Sequence, residues 1–227
     1  MIEARAQQAY ARLAGLSYLL VLAVDIAGLV ITSSIAGDGD FAAAARNVVA
    51  SETLYRVGLC LALVGSLLTI PLAIGLFVTL RPVDPSLATM GLVFRSAEAA
   101  IGGVGLVGSF AALEAYLAGS QTAFDSQSLG NASQVAAIFF STGSTIFFWI
   151  FLKSRYLPRL LPAWGVFASA LYLAYWIASL LAPDLPGAVT IAASLPILVA
   201  EVTTGLWLLI AGVRAVGSPA GAVQLAG

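Results

Sequence analysis

Four ionisable side chains stand within long apolar runs: Asp25, Arg95, Glu98 and Glu201. In hydrocarbon an ionised group costs roughly 3 kcal/mol or more, so each must turn toward a protein interior or a hydrated cavity. Such residues can hold a proton, pair with a cation or orient a substrate near the bilayer midplane. Alternatively they form a structural network, with Arg95 bridging Glu98 and another acid and fixing helix register. Three acids against one guanidinium leave an excess that must be protonated, hydrated or paired with a cation, and this favours the functional reading.

The elements that must position these groups are helices. Between residues 91 and 109, Gly91, Arg95, Glu98, Gly102, Gly105 and Ser109 recur at three- and four-residue steps and share one face. The opposite face carries Leu92, Val93, Val104 and Val107. Asp25 shares a face with Ser17, Val21, Gly28 and Thr32, and Glu201 with Ser194, Thr204, Gly205 and Gly212. The depths of the four ionisable residues overlap, which predicts one buried cluster joining the first, third and sixth spans.

Other chemistries find little support. The chain has no histidine, which removes His-based acid–base catalysis, zincin-type metal sites and histidine-ligated haem. The single cysteine, Cys60, allows no intrachain disulfide and reads as a buried apolar filler. Gly103 to Gly108 fits G-x-G-x-x-G, but it lies inside an apolar helix with no strand before it and reads as a helix-packing surface. The hydroxyl run Ser141, Thr142, Ser144 and Thr145 has no His or Lys beside it and is expected to bond back to its own helix or across to the next. Tyr172, Tyr175, Trp176 and Trp207, with Phe147, Phe148 and Trp149, are expected to serve helix packing rather than a ligand pocket.

Of 227 residues, 60% are hydrophobic and 9% charged, against about 25% charged in soluble domains, and mean hydropathy is +1.00. This is the composition of an integral membrane protein. A net charge of −1 with no basic cluster argues against nucleic acid as a partner. Apolar runs predict six spanning helices, near 13–36, 54–80, 87–113, 132–152, 163–182 and 188–213. The first is too long for a signal peptide, whose apolar region is about 7–15 residues, and contains Asp25.

With the N-terminus inside, cytoplasmic segments hold Arg5, Arg12, Arg81, Lys153, Arg155, Arg159 and Arg214, whereas only Arg46 and Arg56 lie outside. That asymmetry places both termini in the cytoplasm. The acids Asp38, Asp40, Glu52, Glu114, Asp125 and Asp184 fall on the outer side. Residues 37–53 suit a short interfacial helix, 118–131 a polar and mobile outer loop, and 81–86 a tight proline-stiffened turn. Tyr10, Tyr55, Tyr116, Tyr156, Trp149 and Trp164 sit near span ends as interfacial anchors, Pro71 is placed to kink the second span, and 215–227 reads as a disordered tail.

The segments Ala11–Tyr18, Ser51–Gly58, Leu80–Val83, Phe94–Ala99, Arg155–Arg159 and Glu201–Trp207, in that order, resemble a bacterial multi-pass membrane family catalogued as domain of unknown function 4386. The likeness runs from Ala11 to Arg214. It implies a protein of the bacterial cytoplasmic membrane and implies no activity. Ala-Glu-x-x-x-Gly occurs at both Glu98 and Glu201, which would suit inverted repeats of three spans, although three shared residues in six arise readily by chance.

The expected architecture is therefore an all-α, six-transmembrane-helix bundle with both ends cytoplasmic and a polar centre enclosed by the first, third and sixth spans. The expected function is a small transporter or channel-like protein using Asp25, Arg95, Glu98 and Glu201, with no cofactor. Its partners would be the bilayer and a small ion, proton or lipid ligand. A non-transporting accessory or lipid-interacting protein is the alternative, and an intramembrane enzyme, lacking a nucleophile–base pair, ranks last.

Overall fold

The computed structural model describes residues 2–126, 132–182 and 186–214. Asp184, residues 127–131 of the polar loop and the tail 215–227 lie outside the described residues. The described chain is helical: α1 (Ile2–Ala36), α2 (Phe41–Ala50), α3 (Glu52–Leu80), α4 (Pro85–Leu117), α5 (Gln121–Ser126), α6 (Ala132–Ser154), α7 (Leu160–Leu181) and α8 (Gly187–Ile210). Six of these, all but α2 and α5, are long and apolar enough to cross a membrane. They correspond to the six predicted spans, although α1 begins 11 residues earlier than the first apolar run.

The long helices form a closed ring in chain order. α1 packs on α3, α3 on α4, α4 on α6, α6 on α7, α7 on α8, and α8 returns to α1. Glycines let the neighbours approach. A Cβ built at Gly15 on α1 would strike the backbone of Gly205 and Leu209 on α8, which pins this end of the first and last helices together.

One end of the ring is basic and closed. Ala11, Ala14, Leu76, Leu80, Phe147 and Phe151 belong to its apolar plug. Polar ties cross the same end: Gln7 Nε2 donates to Thr79 O at 2.8 Å and to the Tyr156 hydroxyl at 3.0 Å. The side chain of Gln8 accepts from Val213 N at 2.8 Å and donates to Val213 O at 3.2 Å. Lys153 Nζ lies 3.6 Å from Asp84 Oδ2 across the α3–α4 turn. Asp84 also caps α4 by accepting from Leu87 N, with Pro85 at the first helical position.

At the opposite end α2 is docked by burying Ala44, Ala45 and Val48 against Tyr55, Leu59, Leu113 and Tyr116. It is a packed cap over α3 and α4 rather than a free interfacial helix, and its N-terminus is secured by Asp40 Oδ1 accepting from Ala43 N at 2.8 Å. Arg56 joins Glu52 at 2.8 Å and Glu114 at 3.1 Å beside it.

Several expectations need correction. Residues 121–126 of the outer loop are helical. Tyr55, Tyr116 and Tyr156 are buried in the two end clusters, whereas Tyr10, Trp149 and Trp164 are exposed as anchors should be. Cys60 is exposed on the outer flank of α3, not buried. Of the glycine pattern at 103–108, Gly103 has open space beside it, whereas a Cβ at Gly105 would make ordinary contact with Ala132 of α6. Among the glycines of α4, closeness is found at Gly91, where a Cβ would meet the Phe147 ring.

Candidate functional site

The ring encloses a cavity of about 610 Å³ to which all six long helices contribute, rather than the first, third and sixth spans alone. Its ionisable groups come from three of them: Asp25 from α1, Arg95 and Glu98 from α4, and Glu201 from α8. The four residues picked out by depth and face therefore line one space. The greasy face of α4 points away from it, with Val93, Val104 and Val107 exposed outward.

Arg95 is the anchor. It is 2% exposed, and its Nη1 lies 3.1 Å from Glu98 Oε2, one turn on, in a contact too skewed to be a hydrogen bond. The same nitrogen donates to Ser144 Oγ on α6 at 3.3 Å. The guanidinium carbon sits 4.6 Å from the centroid of Phe140, a face-on cation–π contact. Sequence reasoning missed both α6 partners. The hydroxyl run was visible, but nothing in its pattern tells which hydroxyl meets α4, and Phe140 lies among other apolar residues. The rest of the run behaves as expected. Ser141 and Thr145 bond back to Ala137 O and Ser141 O, and Thr145 also donates to Ser169 Oγ on α7 at 2.8 Å.

Glu201 is 5% exposed, yet its Oε1 has no hydrogen-bond partner. A buried carboxylate oxygen without a donor is costly. One turn further on, the Thr204 hydroxyl is likewise buried without a partner. Asp25 differs, since it is exposed into the cavity and its carboxylate lies against Gly65 of α3, where a side chain would collide with it. Tyr18, Phe140 and Tyr172 add aromatic walls, and Ser66, Thr69 and Ser194 add hydroxyls. Tyr172 is thus a lining residue, whereas Phe147 and Phe148 are core, as packing predicts. The remaining wall is mainly aliphatic.

The plug of the basic end lies directly beneath, and Tyr18 and Leu72 belong both to it and to the cavity wall. Toward the other end the lining residues Leu29 on α1 and Leu195 on α8 are 67% and 54% exposed. The site is therefore a chamber sealed at one end and open on its α1–α8 side.

Fold and site together define an all-helical, six-span membrane protein with a charged central chamber. The chain belongs to the family described as Domain of unknown function (DUF4386), whose model matches residues 13–212. No curated protein and no solved structure matches it.

Proposed function

We propose that this protein is a small transporter that binds a positively charged solute, or protons, at the midplane carboxylates. The observation carrying this reading is the imbalance inside one chamber. Three carboxyl groups share a single guanidinium, already engaged by Glu98, and Glu201 keeps a buried oxygen with no donor. A purely structural network would satisfy its members, because an unpaired buried acid destabilises the fold that holds it. The chamber is sealed at the basic end and open laterally between α1 and α8, so a solute meets the carboxylates from one side of the bundle.

On this reading the sealed end faces the cytoplasm, which the basic-residue asymmetry supports, and the membrane is the bacterial cytoplasmic membrane that the family resemblance implies. The test is proton and cation flux in liposomes, comparing wild type with folded Glu98→Gln and Glu201→Gln. Loss of flux in folded variants supports transport. Absence of flux in wild type, with both variants destabilised, favours the second reading, a structural lock in an accessory or lipid-interacting protein. That reading draws on the Arg95–Glu98–Ser144 contacts, which tie α4 to α6 without any ligand.

A further inference from the structure

We infer that the chamber takes an organic cation with an apolar body, such as a lipophilic amine or quaternary cation, which enters from the bilayer between α1 and α8. The inference rests on the transport reading for its setting and narrows the ligand class.

Three observations carry it. First, the carboxylates do not converge. Among the described residues no three Asp, Glu, Cys or His side chains stand close enough to hold a metal ion. A bare divalent cation such as calcium needs six to eight oxygens at about 2.3–2.6 Å. Asp25, Glu98 and Glu201 instead come from α1, α4 and α8 around a chamber of about 610 Å³, within the usual volume of an organic-ligand site. Second, Glu201 is an almost fully buried acceptor that lines this space and has an oxygen with no donor, so a diffuse positive charge held in the chamber would offset it without needing a direct hydrogen bond. Third, the walls suit the body of such a molecule. Tyr172 presents an aromatic ring in the same wall as the acids, the combination that recognises organic cations, while Phe140 is occupied by Arg95 and Tyr18, 2% exposed, only edges the space.

The entry path follows from the α1–α8 seam. The two helices are locked at the basic end by Gly15 and Gly205. At their other halves Ile26 and Leu29 on α1, and Ile191 and Leu195 on α8, both line the chamber and are exposed. Leu29 is seven residues from the end of α1 and Leu195 eight from the start of α8, so the mouth sits about 10–12 Å in from those ends, at hydrocarbon depth. A mouth of aliphatic side chains at that depth admits a molecule dissolved in lipid.

The test uses the purified full chain in nanodiscs and labelled tetraphenylphosphonium, with tetraphenylborate (the same shape, opposite charge) and calcium as competitors. Saturable binding displaced by neither competitor is expected. Asp25→Asn and Glu201→Gln should each weaken it at least tenfold, and Leu195→Trp should slow association severalfold. The exposed Asp25 keeps the test decisive should Glu201→Gln misfold. Weaker binding in nanodiscs containing phosphatidylethanolamine would identify the natural cation as a lipid headgroup amine. Unchanged binding would identify it as a free solute, and either result sustains the cation class.

No saturable binding, equal displacement by tetraphenylborate, or indifference to both carboxylate variants overturns the inference. Proton flux measured on the same preparation separates the two readings. Flux without tetraphenylphosphonium binding sinks the ligand class and leaves transport standing. Specific binding without flux of any cation sustains the ligand class and sinks transport. Absence of both sinks both.

Discussion

The carboxylate of Asp25 rests so closely against Gly65, across the α1–α3 interface, that a methyl group added at position 65 would overlap it. The three heavy atoms nearest to that methyl all belong to the Asp25 carboxyl group. Glycine at 65 thus holds open the place where an acid enters the chamber.

Gly65→Ala should therefore act on Asp25 more than on the fold. The carboxylate is the end of a side chain exposed to the chamber and can swing away, so destabilisation should stay near the lower end of the roughly 1–3 kcal/mol of overpacking. Gly15→Ala, which drives a methyl into the α8 backbone, should lie at or above the upper end. Thermal unfolding in detergent distinguishes them. Cation flux or binding should fall in Gly65→Ala as it should in Asp25→Asn. Equal unfolding penalties for the two glycine variants would refute this account.

Arg95 is a stability residue whatever the ligand. Removing it leaves the buried Glu201 and the half-buried Glu98 with no cation, and breaking a buried pair from one side costs roughly 3–5 kcal/mol. Arg95→Met should fail to fold or show a much lowered thermal midpoint, and adding Glu98→Gln to it should recover part of the loss. A double variant no better than the single would mean that Arg95 acts mainly through Ser144 and Phe140.

The face rule on α4 made Arg95 and Glu98 legible from sequence. Charge and small residues recur on one side and valines on the other, and lipid tolerates only one way of turning them. The six spans were legible for the same reason. What stayed hidden follows from the solvent. In lipid the outer surface is as apolar as the core, so hydropathy cannot tell Cys60, which is exposed, from Leu72, which is buried. Nor could it choose among hydroxyls and phenylalanines of α6 to name Ser144 and Phe140 as Arg95 partners. The contact between Gly65 and Asp25 depends on the relative height of two helices, which sequence periodicity leaves free.

The closed end should loosen when its clamp is cut. Gln8 makes both a donor and an acceptor bond to the backbone of Val213, tying the end of α8 to the start of α1. Each such bond is worth about 0.5–1.5 kcal/mol net, so losing both should raise local opening roughly tenfold. Hydrogen exchange at Val213 in Gln8→Ala should quicken by about that factor, while the middle of α6 stays protected. Unchanged exchange at Val213 would show that the apolar plug alone holds this end.

Orientation decides which compartment the chamber addresses, and two serines can report it. Ser86 lies in the first turn of α4 at the basic end, and Ser126 ends α5 at the other; both are exposed. Cys60 must first be replaced by alanine, because its thiol is exposed on the outer flank of α3. On that background, a membrane-impermeant maleimide added to intact cells should label Ser126→Cys and should reach Ser86→Cys only after permeabilisation. This outcome places the plug in the cytoplasm, so the captured conformation is closed to the cell interior and its α1–α8 mouth lies in the outer half of the bilayer. The reverse pattern would put that mouth in the cytoplasmic leaflet, and the same carboxylates would then meet solutes from inside the cell. Under the transport reading the direction of net movement is set by the electrochemical gradients of the solute and of any coupled ion, so the side of the mouth fixes where the solute is met and leaves uptake or extrusion to those gradients.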